Sequence, residues 1–260
     1  SDVYKRQLIT LPITYIVRRE MRGIPRGEGT KLAEDLSLGF HLIYDKKGLW
    51  LLVMLGILVS FCLGTVQTLM IPMLLPFGGE SFAGFATTVS ACGMLVGGLI
   101  LSRFSIKKDF SHILQASLLG MGFFMAAFAW GNNKILICSF GFCLFMSLPF
   151  ANAAMDYLVR VNVATTHQGK AWGLISLISQ AGYVLAYALT GVAVDFIIKP
   201  FLQKEGDASK FALNIPGRGE GRGAALMIII AAVFLMFIAL TLPRKSEIRE
   251  LEEENVLEIA

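Results

Sequence analysis

The 260 residues are 55% hydrophobic and 16% charged, with a net charge of +4 and a mean hydropathy of +0.65. That is more apolar material than one water-soluble core of this size requires, which argues against a soluble enzyme. The basic residues lie in short connectors between apolar runs rather than on one stripe, which argues against a nucleic-acid surface and makes them topology signals.

Residues 1–7 form a polar heptad with the look of a non-native prefix. The apolar run 8–17 that follows is too short to cross a hydrocarbon core of roughly 30 Å. It has neither the charge layout nor the cleavage site of a signal peptide, and it reads as the tail of a helix cut off upstream, so that the chain is expected to be a fragment. Residues 18–47 mix Arg18, Arg19, Arg22, Arg26, Lys31, Lys46 and Lys47 with acidic residues, as expected of a linker containing some amphipathic helix.

Six apolar segments then follow, at 50–75, 82–101, 113–130, 135–157, 171–198 and 224–242. Each is long enough to span as a helix, and the fold class expected is an all-α polytopic bundle occupying 48–243, followed by a tail at 244–260. Lys and Arg crowd the linker, the Arg103, Lys107, Lys108 connector, the Arg160 and Lys170 connector and the tail, whereas Lys134 stands in the short connectors of the other side. This asymmetry predicts a cytoplasmic linker and C-terminus. The long connector 199–223 carries five basic residues, but long loops are weak topology signals.

Small residues recur four apart at Gly93 and Gly97, at Gly122 and Ala126, and at Gly182, Ala186 and Thr190, a spacing that lets helix backbones approach closely in lipid. Pro72, Pro76 and Pro149 fall within or near the ends of spans, where kinks are expected. Cys62, Cys92, Cys138 and Cys143 all fall in predicted spans without metal-ligand spacing, and are expected to be small buried hydrophobes.

Six spans behind a linker and a truncated helix resemble the C-terminal half of a major facilitator superfamily transporter. Gly98, Ser102, Arg103, Lys107 and Lys108 resemble the superfamily's repeated G-x4-D-R-x-G-R-R motif, with Ser102 where Asp is usual and the second glycine absent. Arg160, Gln168, Gly169 and Lys170, followed by Gly182, Gly191 and Asp195, are similar to the cytoplasmic loop and penultimate helix of the macrolide-efflux-like branch. The run G-R-G-E-G-R-G at 217–223 is similar to that branch's glycine-rich opening of its final helix. The resemblance implies a six-helix half of a two-half carrier in a bacterial cytoplasmic membrane, with a substrate site near the midplane and rocking between two access states. It further implies a missing N-terminal six-helix half of the same chain as partner, protons as coupling ion, and no cofactor. The expected cargo is an amphiphilic small molecule such as a macrolide; a lysolipid, sugar or siderophore is the alternative within transport.

Ionisable groups within spans are usually functional. Asp156 lies near the cytoplasmic end of its span, one turn from Arg160, which is read either as a structural or gating ion pair or as a coupling site. Arg103, Lys107 and Lys108 are gating candidates by their place in the motif. Asp195 lies near the outer end of its span and reads as helix-end or gate structure.

Among uncharged polar residues near midplane, Gln67 and Thr68 are substrate-cavity candidates, since the resemblance puts the first helix of each half beside the cavity and an amide both donates and accepts hydrogen bonds. Helix-to-helix bonding is the alternative, and is preferred for Gln180. Phe61, Phe145 and Met146 are candidates for an adaptable apolar wall, with plain packing as the other reading. No HExxH, GxSxG or His-Asp cluster occurs, which counts against an integral membrane enzyme. His41, His112 and His167 are expected to be solvated, and the glutamate-rich tail to be a solvated amphipathic helix.

Overall fold

The computed structural model describes residues 39–41, 43–44, 46–103, 110–164, 167–198, 200 and 221–241. The heptad, the run 8–17, most of the linker, Lys107, Lys108, residues 217–220 and the tail from 244 lie outside the described residues. Among those described, the secondary structure is helical, without strands. A helix closes its backbone hydrogen bonds within itself, so a single apolar segment can satisfy them where no water is available.

Five helices are long and apolar enough to cross a membrane. We number them α1 (Lys47–Arg103), α2 (Phe110–Trp130), α3 (Lys134–Asn162), α4 (Gln168–Ala193) and α5 (Gly221–Thr241). At 1.5 Å per residue, the 57 residues of α1 would run about 85 Å if straight, far more than one bilayer. The helix breaks at Gly78 and Gly79, where Gly79 takes φ 68 and ψ −165, a combination open essentially to glycine alone. The break divides α1 into a first limb, 47–77, and a second limb, 80–103. These are the first two segments expected from the sequence, and the corner between them lies two residues beyond Pro76.

The remaining helices each start one to three residues before the predicted segments. The largest extension is in α3, which continues five residues beyond Tyr157 to Asn162, so that Asp156 and Arg160 share one helix. Its start is capped by Asn133, whose side chain accepts from the Ile135 amide at 3.1 Å. At its end, the Gln168 amide donates to the carbonyls of Arg160 at 2.9 Å and Val163 at 3.1 Å, clamping the connector into α4. A π-helical turn, Val194–Ile198, closes α4.

α1 is the packing centre, meeting α3, α4 and α5, with its first limb against α4 and α5, while α2 packs on α3 and α5. Its buried residues, including Leu52, Val59, Cys62, Val66, Leu69 and Met73, join one apolar core with Leu114, Met121, Phe128, Leu144, Ile228 and Leu235. Glycines set the closest approaches. Gly93 and Gly97 of the second limb lie against the backbone of Phe142 and Met146 in α3, four residues apart on both helices. Gly122 of α2 faces Met236 and, at 3.1 Å from the position of a Cβ, the Ala232 carbonyl of α5. Gly182 of α4 abuts the Ile57 carbonyl, and Gly64 of the first limb meets Ala186 and Tyr183.

Two groups of expectations need correction. Cys62 is buried, with its thiol 3.7 Å from the Ala231 carbonyl, but Cys92 is exposed and Cys138 and Cys143 are only half-buried. His41 and His112 are exposed as expected, whereas His167 is half-buried at the turn into α4 with Nδ1 shielded from solvent.

Candidate functional site

The polar groups of the bundle collect along the seam between the first limb and α4. It begins in the first half of both helices, where a Cβ at Gly56 would lie 3.1 Å from the Ser179 hydroxyl and 3.2 Å from the Met155 methyl of α3. One turn on, Ser60 meets Gly182. Further along, Thr65 and Thr190, both fully buried, bring their hydroxyls within 3.3 Å of each other, and Thr65 also donates to the Phe61 carbonyl at 3.0 Å. This pair satisfies two hydroxyls inside the helix contact and ties the helices together.

The seam opens at Gln67. Its side chain is exposed, and its Oε1 accepts from the Tyr187 hydroxyl at 2.9 Å, across 120 residues of sequence. Tyr187 is 52% exposed, and the half-buried Tyr183 ring stands 6.2 Å from it, centroid to centroid. A glutamine amide also carries two N–H donors, and those of Gln67 make no bond among the described residues. By helical rise, Gln67 lies about 7 Å from the middle of the 47–77 limb, well inside a hydrocarbon layer. The arrangement offers hydrogen-bond donors beside two phenol rings on the outside of the bundle at membrane depth.

The other expected site residues fall in several places. Thr68, half-buried, bonds its own helix through the Gly64 carbonyl at 2.8 Å, and Phe61 lies half-buried along the same limb. Phe145 is half-buried against the apolar core, and the Met146 backbone forms the surface on which Gly97 rests, so these two belong to α3 packing rather than to the Gln67 neighbourhood. Gln180, expected to pack, is instead exposed, since the neighbouring small residue Gly182 takes the contact with the first limb.

Asp156 and Arg160 are both exposed, one turn apart on α3. Asn152, one turn before Asp156, is also exposed, and the three make a polar row at the end of the bundle where α1 begins. Beside this row, Tyr157 stacks on Phe110 of α2 at 3.5 Å between centroids. Arg103 is exposed in the last turn of α1, and Ser102 turns its hydroxyl back to the Leu99 carbonyl at 2.8 Å. Asp195 is exposed on the π turn at the opposite end.

Sequence reasoning missed Tyr187, Tyr183 and Asn152. Tyr183 and Tyr187 are spaced like their neighbours Gly182, Ala186 and Thr190, so the contact face of α4 pointed to them; Asn152 repeats the four-residue spacing of Asp156 and Arg160. Among the described residues, no group of three or more His, Cys, Asp or Glu side chains could hold a metal ion.

No protein-family model matches the chain, nor does any curated protein or solved structure.

Proposed function

We propose that this chain is a helical bundle of a secondary active carrier that exports amphiphilic small molecules, with the proton gradient as its energy source. The observation that carries the reading is the Gln67–Tyr187 pair, a hydrogen-bonding amide and phenol left on the outside of the bundle at hydrocarbon depth. Polar groups facing lipid forfeit hydrogen bonds at a cost, and such groups in membrane proteins face a water-filled cavity or another protein body. A carrier built of two bundles supplies that setting. The seam would form one wall of a central site, in which the Gln67 donors orient a polar group of the cargo and Tyr183 and Tyr187 stack on its apolar part.

In this reading Asp156 and Arg160 act at the access gate. Asp156 lies about 12 Å and Arg160 about 18 Å from the middle of α3, where a carboxylate and a guanidinium can pair with groups on a second body as the access path closes. The macrolide-like cargo and the superfamily membership rest on sequence resemblance alone.

The test is accumulation of a labelled macrolide, and in parallel an amphiphilic cation, by a bacterium stripped of its main exporters and expressing the whole protein. Expression is expected to lower accumulation, and a protonophore to restore it; Gln67→Ala and Tyr187→Phe, made at normal levels in the membrane, are expected to weaken export. Unchanged accumulation of both compounds contradicts drug export, and export insensitive to the protonophore contradicts the coupling.

A further inference from the structure

Before α1 the chain makes a short helical stretch whose Ile43 is buried to 1% exposure, and whose Gly39 backbone rests on the start of α4, a Cβ there meeting the Lys170 carbonyl at 3.2 Å. These two contacts hold the stretch against the bundle and turn its other side outward. On that side lie Phe40, 42% exposed, and Tyr44, 61% exposed. Their rings stack 5.9 Å apart, and the Trp50 indole meets both edge-on, at 5.7 Å from Phe40 and 5.9 Å from Tyr44. The Phe40 and Tyr44 rings thus lie on the outer surface, against a half-buried Trp50 that also packs on the apolar core.

We propose that this triad, together with the exposed Lys46 and Lys47, is a binding site for an anionic phospholipid at the headgroup level. Tyr and Trp rings favour that depth because their bodies are apolar and their N–H and O–H groups reach water. The site stands at the boundary where the apolar part of α1 starts, with Leu49 the first of its buried leucines. It also lies at the bundle end where, among the described residues, Lys46, Lys47, Arg103, Arg160 and Lys170 outnumber the acidic Asp156, so the surface potential there favours an anionic headgroup over a zwitterionic one. The pair of contacts at Gly39 and Ile43 places the rings relative to α4 as well as α1, so a bound lipid would brace the start of both helices. This inference requires the chain to span a membrane but is independent of any transport activity.

Trp50 reports directly on the site. The chain has three tryptophans, and Trp130→Phe with Trp172→Phe leaves Trp50 as the single emitter. The protein is reconstituted in phosphatidylcholine vesicles in which one lipid in ten is brominated high on its acyl chains, the brominated lipid being either phosphatidylglycerol or phosphatidylcholine. Brominated phosphatidylglycerol is expected to quench Trp50 about twofold more than brominated phosphatidylcholine, and Lys46→Gln with Lys47→Gln to bring the two to equality. Equal quenching in the protein with both lysines overturns anionic selectivity, and absence of quenching by either lipid overturns lipid binding by showing the rings to be covered by protein. If the single-tryptophan protein fails to fold, the same ratio is read as the difference between the unaltered chain and Trp50→Phe.

Discussion

Gly93 and Gly98 lie on the same limb but differ sharply in what a side chain would meet. A methyl group at Gly93 runs into the Phe142 backbone, which cannot rotate away, whereas one at Gly98 meets nothing within 4 Å. Gly93→Ala is therefore expected to destabilise the bundle by about 1 to 3 kcal/mol through overpacking, while Gly98→Ala changes stability by less than about 1 kcal/mol. Reversible unfolding in detergent micelles distinguishes them; equal effects would mean that the second limb does not approach α3 this closely. The four-residue spacing of Gly93 and Gly97 made the existence of such a contact legible in the sequence, because small residues at that interval line one helix face. Its partner, the backbone of Phe142 and Met146, was not legible, since any residue type supplies the same carbonyl. The same limit explains Gln67: its placement in a span could be read, but the Tyr187 hydroxyl that meets it belongs to a helix 120 residues away.

Segment positions followed closely from hydropathy, because an apolar run of about twenty residues has few alternatives in lipid. Finer features depended on local backbone chemistry. Pro72 and Pro76 both lie within the helical first limb, and α1 breaks just beyond them at Gly78 and Gly79, the second of which takes a positive φ that favours glycine. The π turn closing α4 has no sequence signature of this kind. Between the first limb and α4, the buried Thr65 and Thr190 hydroxyls form a direct helix-to-helix bond. Thr65→Val and Thr190→Val preserve shape while removing that bond, and their unfolding free energies are expected to show a coupling of about 0.6 kcal/mol in a double-mutant cycle. Strict additivity would show that the two hydroxyls do not interact.

At the scale of the whole molecule, the apolar core accounts for one side of each helix and the exposed polar seam remains to be accounted for. Phe237 on α5 and Leu99 on the second limb, 64% and 68% exposed, are the surfaces a lipid-facing bundle should present. Gln67 and Tyr187 are not, and their exposure underlies the carrier reading. Hydropathy and small-residue spacing led to a helical bundle, but which of its outer faces meets lipid was not legible, because spans exposed to lipid and spans lining a cavity have similar composition. The most direct test places a single thiol at either surface, Gln67→Cys or Phe237→Cys, after the four native cysteines are replaced by alanine. Each whole protein is labelled in native membranes with a small, charged, membrane-impermeant thiol reagent. The carrier account predicts rapid labelling at position 67, slowed by saturating cargo, and little labelling at position 237. Equally slow labelling at both positions would put the Gln67–Tyr187 seam in lipid and contradict a substrate path along it.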